Sequence, residues 1–88
     1  MKTNELVKLV EELGLKADFD YVWIGEEECE MLSAYYDGHE VLRAPLDWTG
    51  EWFVYESEFE KLDPYKRNKL LNGFIDFVHT PLDEREDD

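Results

Sequence analysis

Leu6, Leu9, Val10 and Leu13 recur at three- and four-residue intervals after Thr3, and the run stops at Gly14. This spacing predicts a helix over residues 4–13, capped by Thr3 and closed by a glycine in the left-handed region. Residues 17–24, Ala-Asp-Phe-Asp-Tyr-Val-Trp-Ile, are rich in aromatic and β-branched types and short for a helix, so they predict a strand. On it Phe19, Tyr21 and Trp23 share one face, and Val22 and Ile24 share the other. Gly25 punctuates the run. Residues 29–36 and 39–44 flank Asp37-Gly38, a hairpin signal, and residues 51–56 read as a fourth strand. There Trp52 and Val54 point one way, Phe53 and Tyr55 the other. Trp23 and Trp52 are expected in the core. Residues 57–62 predict a short helical turn. Asp63-Pro64 then supplies a cap and a first-position proline for a helix whose stripe is Leu70, Leu71, Phe74, Phe77 and Val78, ending before Thr80-Pro81. Gly73 sits inside that stripe, where glycine costs about 1 kcal/mol against alanine. Close packing is the expected reason.

Two terminal helices around about four strands predict an α+β, two-layer domain in the order αββββα, an antiparallel meander with both helices on one face. Residues 1–81 form this single domain, and the acidic residues 82–88 are expected to fray. The first and fourth strands are apolar on both faces, unlike a sheet with one wet side. Either the sheet curls enough to hide the second face, or that face meets another chain, as in a homodimer.

Charge sharpens this picture. The 88 residues hold 23 acids and 9 Lys or Arg, a net charge of −14. Residues 17–60 hold 13 acids and the single base Arg43, a net of −12, whereas Lys61, Lys66, Arg67 and Lys69 follow directly. Such a field repels nucleic acid and anionic membranes and attracts basic proteins; its plainest role is solubility. The single cysteine rules out an internal disulfide framework, and neither a leader nor an apolar run of membrane-spanning length is visible. A reduced, cytoplasmic setting is expected.

The only cysteine lies within Gly-Glu-Glu-Glu-Cys-Glu, but it lacks the second Cys or the His at zinc-like spacing that a metal site needs. Neighbouring carboxylates also raise a thiol pKa, the opposite of what a reactive thiolate needs. A turn leading into a strand on which Cys29 packs is the expected structure. No calcium loop, Gly-rich phosphate loop or nucleophile elbow occurs, so the chain is expected to be neither an enzyme nor a carrier of metal or cofactor. What remains is surface recognition. In an extended segment alternate side chains repeat every ~6.7 Å, so Glu26, Glu28 and Glu30, with Glu27 beside them, can present carboxylates at twice the ~3.4 Å phosphate spacing of a DNA strand. That is the physical basis of DNA mimicry; a solvated acidic face does the same without a partner. Trp48, in the loop after Pro45, is the expected aromatic contact.

The opening Met-Lys-Thr-Asn-Glu-Leu-Val-Lys-Leu-Val-Glu-Glu-Leu-Gly and the closing helix with Thr80-Pro81-Leu82-Asp83-Glu84-Arg85-Glu86 resemble small uncharacterised phage and prophage proteins of Gram-positive bacteria. These often end in Thr-Pro-x-x-Glu-Arg-Glu. The resemblance covers about a third of the chain and brings no catalytic residues. It implies a bacterial host cytoplasm and a host-directed inhibitor. The leading expectation is therefore a protein-interaction module binding a basic, nucleic-acid-handling host protein, with no direct contact to nucleic acid or membrane. Two alternatives stand beside it. One is a small-ligand or nucleotide-sequestering module drawing on Arg43, Lys66, Arg67 and Lys69. The other is a homodimeric structural or regulatory phage subunit.

Overall fold

Two tight turns set the sheet. Ile24 pairs with Glu27 across Gly25-Glu26, where Gly25 has φ 64°, and Tyr36 pairs with His39 across Asp37-Gly38, with φ 52° and 81°. Positive φ at the first central residue alone gives a II′ turn, and at both a I′ turn; each matches the twist of paired strands. The computed structural model describes residues 1–86. In chain order it contains α1 (Thr3–Glu12), β1 (Lys16–Ile24), β2 (Glu27–Tyr36), β3 (His39–Pro45), β4 (Phe53–Val54), α2 (Glu56–Phe59), α3 (Pro64–His79) and a 3-10 turn, Leu82–Glu84. The four strands form one antiparallel meander, β1-β2-β3-β4. This is the expected α+β arrangement.

Residues opposite one another in an antiparallel ladder share a face. The pairs Ala17–Ala34, Phe19–Leu32, Leu32–Ala44, Ala34–Leu42 and Leu42–Val54 therefore lie on one side of the sheet. Leu32, Ala34, Leu42 and Ala44 join Leu6, Val10, Leu70, Phe74, Phe77 and Val78 in a single buried core, so this is the face the helices cover. Each large side chain buried there contributes about 1.5–3 kcal/mol. A bulge between Ala34 and Tyr35 lets the adjacent Val41 and Leu42 both enter the core. α1 ends as expected at Gly14: its N–H meets Glu11 O and the Leu15 N–H meets Val10 O, the paired bonds of a Schellman motif. Asp63 Oδ1 accepts from Lys66 N at 2.9 Å and caps α3.

Four details depart from the expectations. Lys2, not Thr3, stands at the α1 N-cap, with Glu5 Oε1 accepting from the Lys2 N–H at 2.8 Å. Thr3 is instead the first helical residue, and its hydroxyl donates to Arg85 O. β4 is two residues long, because Tyr55 already leads into α2. Trp23 is not core: 69% of it is exposed. Nor do residues 82–86 fray, since Arg85 is buried and anchors them; residues 87 and 88 lie outside the described residues.

Candidate functional site

The β1–β2 hairpin carries the candidate surface. Phe19, Tyr21 and Trp23 follow Ala17 on the helix-facing side, yet they are 45%, 63% and 69% exposed. Behind them Glu30 is paired with Tyr21, and Glu28 with Trp23. The neighbouring Glu30 carboxylate raises the Tyr21 pKa above the ordinary value. A row of three solvent-facing aromatics backed by two carboxylates results.

The expected acidic row is only partly realised. Glu26 occupies the II′ turn, and Glu27 pairs with Ile24 on the opposite face, so Glu28 and Glu30 alone share the aromatic side. Trp48 lies in the loop that leaves β3. The Leu46 N–H donates to Glu30 O at 3.0 Å, drawing this loop against the start of β2. Trp48 itself is half-buried and donates from Nε1 to Glu51 Oε2 at 3.0 Å. The structure thus brings the Trp48 loop to the acidic end of the hairpin. It also adds Phe19, Tyr21 and Trp23, which the expectation of a core Trp23 had left out.

The other face of the sheet is partly screened by its own side chains, with Ile24, Phe53 and Tyr55 left exposed. The Tyr35 hydroxyl donates to Asp20 Oδ2 at 2.7 Å, which raises the Tyr35 pKa. Ser33 Oγ donates to Glu40 Oε1 at 3.0 Å. Arg43 pairs with Glu40 at 3.8 Å and lies over Phe53 and Tyr55, 5.4 and 5.8 Å from their centroids. Met31, Ser33 and Cys29 are buried in this layer. Burial, then the charges of Glu27 and Asp47, push the Cys29 thiol up. Native Cys29 is therefore expected to react with a disulfide reagent at least about tenfold more slowly than in the urea-unfolded chain. Equal rates, followed by thiolate absorbance, would sink that assignment.

Among the described residues no three His, Cys, Asp or Glu side chains converge on a metal-sized site. A hollow of about 540 Å³ lies between the α1–β1 link and the β2–β3 turn. It sets Lys16 against Asp18 and Asp37 beside Tyr35. Of the remaining cations Lys66 reaches its rim, its Nζ standing 3.5 Å from where a Gly14 Cβ would lie and 5.6 Å from the Tyr36 ring, whereas Arg43 is on the face away from the helices and Lys69 lies 5.8 Å from the Tyr65 ring. Among the described residues no helix is long and apolar enough to cross a membrane. Comparison with protein-family models, curated proteins and solved structures found no match.

Proposed function

We propose that this chain is a non-enzymatic interaction module that binds a basic protein through its β1–β2 hairpin. The observation that carries the reading is the exposed Phe19–Tyr21–Trp23 row with Glu28 and Glu30 behind it. Exposed aromatics supply contact area at low entropic cost, and neighbouring carboxylates steer a cationic partner and fix its register. The net charge of −14 makes this attraction long-ranged at low salt. A phage setting, a bacterial cytoplasm and an inhibitory outcome, by competition with nucleic acid for the same basic surface, belong to this proposal through the sequence resemblance. A nucleotide-sequestering module is less well served, because its expected cations lie on opposite faces of the sheet.

The test is affinity capture from bacterial lysate with the whole chain as bait, compared with the double charge reversal E28K/E30K. A basic protein held at low salt, released at high salt and lost by the reversal is the expected result. Capture that survives both the reversal and high salt would overturn the proposal.

A further inference from the structure

Among the described residues β2 alone pairs with β1, which leaves β1 as an open edge. Ile24 and Glu27 close a two-residue turn as a hydrogen-bonded pair. Alternation along the antiparallel ladder then directs the N–H and C=O groups of Ala17, Phe19, Tyr21 and Trp23 away from β2. The Phe19 N–H agrees with this, being met by Asp18 Oδ1 at 3.0 Å. Edge strands are ordinarily protected by shortness, lysine, proline or a bulge. At the far edge β4 follows that rule with two residues. β1 instead runs nine residues in unbroken register, with its one lysine at the first position.

Charge decides what this edge can accept. A second copy would set Asp18 and Asp20 near the same residues of its twin, between two chains of net −14. An extended basic segment meets the reverse. Added about 4.8 Å beyond β1, it would place alternate side chains on the aromatic side. Arg or Lys at those positions can lie over Tyr21 and Trp23 as cation–π pairs and reach past them to Glu28 and Glu30. The residues between would face Val22 and Ile24, which suit small apolar side chains.

We infer that β1 accepts, as a fifth strand, an extended segment of a partner protein with basic residues at alternate positions. The inference rests on the proposed function and specifies its mode: backbone pairing along β1 supplies affinity, and the aromatic and acidic rows supply selectivity.

The experiment titrates the full chain into a labelled nine-residue peptide of alternating arginine and valine and follows anisotropy. The comparison peptides are a block arrangement of the same residues and the alternating peptide N-methylated along its backbone. The alternating peptide is expected to bind at least about tenfold more tightly than either, and W23A and E28Q/E30Q are each expected to weaken it. Equal binding of all three peptides would show attraction by charge alone. That overturns the added strand and leaves the basic-partner reading standing. No binding by any of them overturns both. Dimerisation of the chain under the same conditions, abolished by W23A, would assign the edge to a second copy and overturn the inference as well.

Discussion

Replacing Arg85 by alanine is expected to cost about 3–4 kcal/mol of stability, more than a typical surface change in a domain of this size. Its guanidinium donates from Nε to Thr80 O at 3.0 Å, from Nη1 to Pro45 O at 3.1 Å and Leu46 O at 3.3 Å, and from Nη2 to Val78 O at 3.1 Å. Its Cζ lies 4.3 Å from the Phe77 ring centroid. In return the Arg85 carbonyl accepts from the Thr3 N–H at 2.9 Å and the Thr3 hydroxyl at 3.1 Å. One residue thus ties the end of β3, the end of α3 and the start of α1. Burial disfavours the charge and lowers its pKa, and the carbonyls and the ring face offset that cost. Alanine removes these four donated bonds, and of the carbonyls Val78 O keeps the Gly50 N–H at 2.8 Å. At roughly 4–8 °C per kcal/mol, the midpoint of thermal unfolding should fall by about 12–32 °C. Lysine keeps the charge but not the planar fork, so R85K should recover only a minority of the loss. A urea-melt loss below ~1 kcal/mol for R85A would show that the carbonyls are met by water instead.

The same residue marks where the sequence is hard to read. Leu82-Asp83-Glu84-Arg85-Glu86 is short, polar and follows a proline, which locally describes a fraying end. Its order depends on carbonyls presented by Pro45, Leu46, Val78 and Thr80, which only the folded chain brings together. Local pattern was enough elsewhere. Asp37-Gly38 specifies its turn because both residues tolerate positive φ, and Asp63-Pro64 specifies the start of α3 because one caps and the other forgoes a donor. β4 shortened because Tyr55, despite its strand-like type, stands before an acidic helical turn and hands the chain over to α2.

The candidate surface was half legible. The carboxylates were visible, but their faces depend on where the turn falls. With Gly25-Glu26 as the two central residues, Glu27 becomes the first residue of β2, and the parity of Glu28 and Glu30 follows. Trp23 was misplaced for a reason of length. A strand of nine residues spans ~30 Å, whereas ten residues of α1 span ~15 Å, so α1 cannot cover all of β1. A tryptophan eight positions into that strand stands beyond the helix end. Its exposure follows from two element lengths taken together, and neither shows it alone.

Gly73→Val is expected to cost about 3 kcal/mol of stability. Gly73 is buried where α3 meets α1, and a Cβ placed on it collides with Leu9 Cδ2, with Leu6 Cδ1 next at 3.6 Å. This is the physical content of the glycine inside the apolar stripe. Valine adds two further methyl groups at a contact already filled, so the helices must separate or Leu6 and Leu9 must leave their places. Alanine poses a finer question, because two effects oppose. The residue gains about 1 kcal/mol of helix propensity, but its methyl must push Leu9 aside. Leu9 is only half-buried, so part of the strain can be relieved by turning its side chain outward, and G73A should cost about 1 kcal/mol net. In an L9A background the obstacle is gone and only the propensity remains. The same G73A change should then stabilise by up to about 1 kcal/mol, reversing sign. Urea melts of the four proteins in this double-mutant cycle decide the matter. If G73A costs the same with and without Leu9, the contact with Leu9 is not what keeps this position glycine.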